Sequence, residues 1–258
     1  MNRKIELLMS IALLCCSIFL ARWGALLTKS IKFPPPSNTY HTSETDSSST
    51  ENYDSTDKTP LELSSFCIVI DAGHGGADPG KVGITNLLEK DINLSIALLL
   101  SEELNANGIS TVLTRETDTD LANGASNLKS ADMRNRCQLI IDTAPIFTIS
   151  IHQNSYPSET VTGAQVFYFT HSEEGRILAS TLQNSLIANL DPSNTRQPKA
   201  NDTYYLLKKT PTPTVIVECG FLSSPVESAL LSTLEYQKKI VSAISLGVME
   251  YLKTNDYL

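Results

Sequence analysis

Ile68-Val69-Ile70-Asp71-Ala72-Gly73-His74-Gly75-Gly76-Ala77-Asp78-Pro79-Gly80 is an apolar, β-branched run that breaks into a glycine-rich turn around one histidine. The branched side chains favour a buried strand, and the glycines and proline end it. The same pattern recurs down the chain: Phe66 to Asp71, Ile109 to Thr114, Ile146 to Ile151, Gln165 to Thr170 and Thr214 to Cys219 all read as short strands. Helical spacing lies between them. Asp91 can cap a helix carrying Ile92, Ile96, Leu99 and Glu103, with Asn107-Gly108 as its stop, and further helices are predicted near Lys129 to Asp142, Glu173 to Leu190 and Leu234 to Lys253. This alternation predicts a single α/β domain with a mainly parallel or mixed central sheet flanked by helices on both faces. The order of strands in that sheet is not legible from it.

The 258 residues suffice for one sizeable core. The net charge of -8 excludes the cationic footprint of a nucleic-acid binder. Arg3 and Lys4 precede an apolar run from Leu7 to Ala21, which continues past Arg22 through Trp23 to Leu27 without an Ala-x-Ala cleavage site. Residues 1–32 are therefore expected to be a signal peptide or membrane anchor, an uncleaved anchor being the better fit, and the protein is expected to act outside the cytoplasm. The bulky residues before Cys15 and Cys16 argue against lipoprotein processing. Residues 33–60, with Pro34-Pro35-Pro36 and then mostly Ser, Thr, Asp and Glu, read as a disordered acidic linker, leaving residues 61–258 as the catalytic domain. Beyond the targeting segment only Cys67, Cys137 and Cys219 remain, an odd set that is no disulfide framework; Cys67 and Cys219 lie in strand-like runs as small hydrophobes.

The candidate chemistry starts at His74 in the glycine-rich turn. Glu89 stands just ahead of the first helix, and His152 closes a strand in Ser150-Ile151-His152-Gln153-Asn154. Two imidazoles and a carboxylate from separate elements are the ligands of a hydrolytic zinc site with a fourth position left for water. Each has a plainer reading alone: a structural loop histidine, a helix-start carboxylate, a strand-end histidine. Glu218 interrupts the apolar strand Val215-Ile216-Val217-Glu218-Cys219-Gly220-Phe221-Leu222. A carboxylate there needs a partner. It is either a base beside a metal or a core residue paired with Arg115 or Arg134.

Taken together these segments resemble the amidase-3 family of N-acetylmuramoyl-L-alanine amidases from Phe66 onward. The family pattern has Asp-x-Gly-His-Gly-Gly, a Glu before Lys-Asp-Ile-Asn-Leu, Ser-Ile-His-x-Asn and Glu-x-Gly-Phe-Leu-Ser. All stand here in order, at Asp71 to Gly76, Glu89 to Leu94, Ser150 to Asn154 and Glu218 to Ser223, and Leu113-Thr114-Arg115, Asp118 and Arg134 also match. Ser224 and Cys219 depart from it mildly. The resemblance implies Zn²⁺ held by His74, Glu89 and His152, with Glu218 catalytic, acting on peptidoglycan. Asn194-Thr195-Arg196, Lys199, Tyr204 to Leu207 and the downstream Pro213 to Pro225 look most like the germination-specific, spore cortex branch, which implies a role in making muramic δ-lactam and leaves room for a partner protein.

Other readings give different expectations. Gly75 to Lys81 fits most of a phosphate-binding loop, but Val82 lacks the hydroxyl for Mg²⁺, Pro79 lacks an N–H and Asp78 would repel phosphate. An inactive, membrane-tethered amidase-like module would keep the fold without hydrolysis. A zinc peptidase cutting within the stem would share the metal and differ in the bond cut. His171, followed by Ser172-Glu173-Glu174, reads as a surface loop residue, and the Tyr204-Tyr205 pair either lines a glycan groove or packs on the core, with packing expected for at least one.

Overall fold

A computed structural model describes residues 64–258. The segments expected to be an anchor (1–32) and a linker (33–60) lie outside the described residues. Six strands form one sheet: β1 (Cys67–Ala72), β2 (Ser110–Leu113), β3 (Phe147–Asn154), β4 (Gln165–Phe169), β5 (Lys199–Asn201) and β6 (Thr214–Phe221), in the order β2-β1-β3-β6-β4-β5. All neighbours run parallel except β4 and β6, which are antiparallel, so the sheet is mixed.

Strand periodicity divides the side chains between two faces. Ile68, Ile70 and Ala72, with Phe147, Ile149, Ile151, Val215 and Val217, belong to the larger apolar cluster. There they meet α1 (Glu89–Ala106), α3 (Glu173–Asn189) and α6 (Leu234–Thr254) through residues such as Ile96, Leu182 and Ile244, all fully buried. Each such side chain contributes about 1.5–3 kcal/mol through removal from water. The alternate positions, from Val69 and Ile216, face α2 (Leu128–Thr143) and the short α4 (Tyr205–Lys209) in two smaller clusters. That second face keeps polar groups at the carboxyl ends of its strands.

The predicted elements are present with small shifts. Glu89 is the first residue of α1 rather than preceding it, and Asp91 sits in the first turn, the cap position being Leu88. Ser172 and Thr233 cap α3 and α6 through their hydroxyls, which fixes their starts at Glu173 and Leu234. Three short elements had no signal in the sequence reading: β5, α4 and α5 (Pro225–Leu231). They carry too few residues to show a period, and tertiary contacts hold them.

Candidate active site

The ends of β1, β3 and β6 bring Asp71, His152 and Glu218 to one face, because Asp71 pairs with Ser150 and His152 with Glu218 in register. Alternation does the rest. The turn after β1 supplies His74, and α1 supplies Glu89 from its first position.

Glu89 is the hub. His74 Nε2 lies 3.2 Å from its Oε2 and His152 Nδ1 lies 2.9 Å from its Oε1. Oε2 also accepts from the Lys81 amide at 2.7 Å, and Oε1 from the Gln153 amide at 3.1 Å. Burial opposes the charged form of Glu89, but hydrogen bonds and charge from His152 and His74 outweigh it and hold the carboxyl well below the usual carboxylate range. Burial alone would lower the pKa of His152, and the Glu89 hydrogen bond overrides it to give a net rise.

One donor atom from each of His74, Glu89 and His152 lies within 4.8 Å of the others, close enough to share one ion. The surroundings fit a metal. Asp78 Oδ2 is 2.9 Å from His74 Nδ1, the carboxylate partner that fixes the tautomer of a metal-binding imidazole and leaves Nε2 free to bind. A Cβ on Gly73 would overlap the His152 ring, and one on Gly80 would come within 2.6 Å of Glu89 Oε2. His74 itself holds a φ of 63°, a left-handed conformation that a non-glycine residue keeps only when its surroundings enforce it.

The enforcement comes from two arginines. Arg136 donates to Asp71 Oδ1 and the Ala72 carbonyl at 2.7 Å each, to Asp132 Oδ2 at 2.7 Å and to the His74 carbonyl at 2.5 Å. Arg115 donates to the carbonyls of Ala72, Gly73 and Lys90. Asp71 also accepts from Ser150 at 2.6 Å and Thr114 at 2.8 Å. The helical arginine expected near the site was Arg134, yet Arg134 is exposed and Arg136, two positions on, is the buried one. Asp78 and Arg136 are the residues the sequence reading did not place. A histidine followed four residues later by Asp within one turn was the available signal for Asp78.

Glu218 has no arginine partner: Arg115 is engaged by backbone carbonyls and Arg134 is exposed. Its Oε2 is buried without a hydrogen-bond partner. Burial pushes its carboxyl up to about 7, against the opposing charge of His152. All four residues line one cavity of about 370 Å³, together with Lys81, Lys129, Met133, Tyr204, Tyr205 and Ile216. An unpartnered carboxyl beside a metal-ready triad can exchange protons with water and substrate. His171 is exposed and outside this cavity, and Cys67, Cys137 and Cys219 are free thiols with Cys219 fully packed in the core.

Several known proteins are similar to this chain. The germination-specific N-acetylmuramoyl-L-alanine amidase of Bacillus subtilis (strain 168) is 40% identical over 204 residues, covering 78% of this chain and 85% of the relative. The solved structure of the CwlD amidase from Clostridioides difficile, in complex with the GerS lipoprotein, superposes with a TM-score of 0.71 at 37% identity, over 73% of this chain and 99% of that one. An N-acetylmuramoyl-L-alanine amidase of Clostridium difficile 630 gives 0.65 at 30% identity, over 73% and 97% of the two chains. The family model described as N-acetylmuramoyl-L-alanine amidase matches residues 68–250, and the chain belongs to this amidase-3 family of peptidoglycan amidases.

Proposed function

We propose that His74, Glu89 and His152 hold one Zn²⁺ and that Glu218 is the proton-transfer group of this peptidoglycan amidase. The observation that carries the assignment is the convergence of three donor atoms within 4.8 Å beside a buried, unpartnered carboxyl. A His₂Glu set with an open position fits Zn²⁺, which when bound would supply Lewis acidity for the scissile carbonyl and the attacking water. Glu218 takes a proton from that water as the new C–O bond forms at the lactyl carbonyl. It then gives the proton to the L-alanine nitrogen as the C–N bond breaks. Asp78 keeps His74 in the tautomer that points Nε2 inward.

The kinship to a germination-specific enzyme and the match to an amidase solved in complex with a lipoprotein support a role in spore cortex maturation, toward muramic δ-lactam, with a partner protein on hand. Residues 1–32 are proposed as the export signal or anchor and 33–60 as the tether that keeps residues 61–258 beside an insoluble polymer. Among the described residues no helix is long and apolar enough to cross a membrane.

Mass spectrometry of material released from purified peptidoglycan tests the bond cut. The expected products are free peptides with a new L-alanine amino terminus and intact glycan strands. Cuts inside the stem would make the enzyme a peptidase, and no release with zinc bound would make it a binding module. Comparing cortex with vegetative peptidoglycan tests the cortex assignment.

A further inference from the structure

The cavity is lined by three kinds of group: the carboxylate and imidazole set, the cations Lys81 and Lys129, and an apolar and aromatic set made of buried Leu206 and Ile216 with Tyr204 and Tyr205, the tyrosines 36% and 42% exposed.

This aromatic set is held in place before any ligand arrives. The Tyr204 ring packs against Phe167 with centroids 5.6 Å apart. Asn201 Oδ1 accepts from the amides of Thr203 at 2.8 Å and Tyr204 at 2.7 Å, which fixes the turn that presents the pair. Burial first, then the charges of Glu218 and Glu89, raise the pKa of Tyr204.

The substrate geometry requires such a surface. In a muramoyl amide the sugar ring is joined to the scissile carbonyl carbon through the lactyl carbon and an ether oxygen, three single bonds or roughly 4 Å. A ring so close to the cut bond must rest on a wall of the same cavity. The lysine cations suit an acidic peptide stem, whereas the apolar face of a pyranose matches an aromatic ring.

Resting on the amidase assignment above, we infer that Tyr204 and Tyr205 form the subsite for the muramic acid ring, and so determine that the enzyme cuts muramoyl amides in preference to sugar-free lactoyl amides.

The experiment compares full-length enzyme on an N-acetylmuramoyl peptide and on the matching lactoyl peptide without the sugar. Wild type is expected to favour the muramoyl substrate. Tyr204→Leu and Tyr205→Ala should each shrink that preference about five- to tenfold, chiefly through KM, with Tyr204→Phe close to wild type. A peptide-free muramic acid glycan should compete with substrate for wild type and lose that competition in the leucine and alanine variants. Equal losses on both substrates, or an unchanged preference in variants that remain folded by circular dichroism, would overturn the subsite. Wild type that cuts neither substrate would instead overturn the amidase assignment of the site.

Discussion

Asp71 and Arg136, 65 residues apart in sequence, meet as a buried ion pair at 2.7 Å. The pair ties the end of β1 to α2, and the same guanidinium holds the His74 carbonyl. Stability and site geometry therefore share one interaction.

The pair gives a pH signature. Burial opposes the Asp71 charge, but Arg136, Ser150 and His152 overcome it and leave the pKa at about 2 against a reference of 3.8. A depressed folded pKa means the stabilisation is fully present above the unfolded value and is lost as pH falls from about 4 toward 2. Its size is on the order of 2 kcal/mol. Denaturant unfolding measured from pH 7 to 2 should show that loss. A free energy of unfolding that stays flat from pH 4 to 2 would contradict it. Arg136→Met, which leaves Asp71 buried and unpaired, should lower stability by about 3–5 kcal/mol at pH 7.

His152→Ala should lose zinc and turnover together, since it removes one of the three proposed ligands. Glu218→Gln should keep zinc at wild-type stoichiometry while turnover falls about 10²- to 10⁴-fold, the amide having the shape of the carboxyl but no basicity. Metal analysis alongside kinetics distinguishes them. Metal loss in Glu218→Gln would make Glu218 a ligand, and full zinc with normal turnover in His152→Ala would end the ligand assignment.

Asp78→Ala should weaken zinc binding about 10- to 100-fold in a chelator competition while leaving the melting temperature of the metal-free protein almost unchanged, because Asp78 lies in a part-exposed loop. Asp78→Asn retains an oxygen acceptor for His74 and should recover part of the loss. Equal affinity in all three proteins would mean that Asp78 does not orient His74.

Gly73→Ala isolates the need for close approach. Its Cβ would overlap the His152 ring, so the imidazole must swing away from Glu89. Zinc affinity and activity should fall together, while the far-ultraviolet spectrum stays that of the wild type. Unchanged affinity would show that the ring has another place to go.

The sequence by itself determined the α/β class, because long helices and buried strands write their periods plainly, and it singled out His74, Glu89, His152 and Glu218 as candidates through four motifs in order, residues that the structure brings to one cavity. Strand order came only from the tertiary structure, since pairing is a contact between distant segments. The choice of Arg136 over Arg134 was also tertiary. Two positions rotate a side chain by about 200° around a helix, and only the placement of α2 on the sheet decides which one points inward. The place of Tyr204 and Tyr205 depended likewise on α4, a helix too short to announce itself, which begins at Tyr205 with Tyr204 as its cap and leaves both tyrosines lining the cavity.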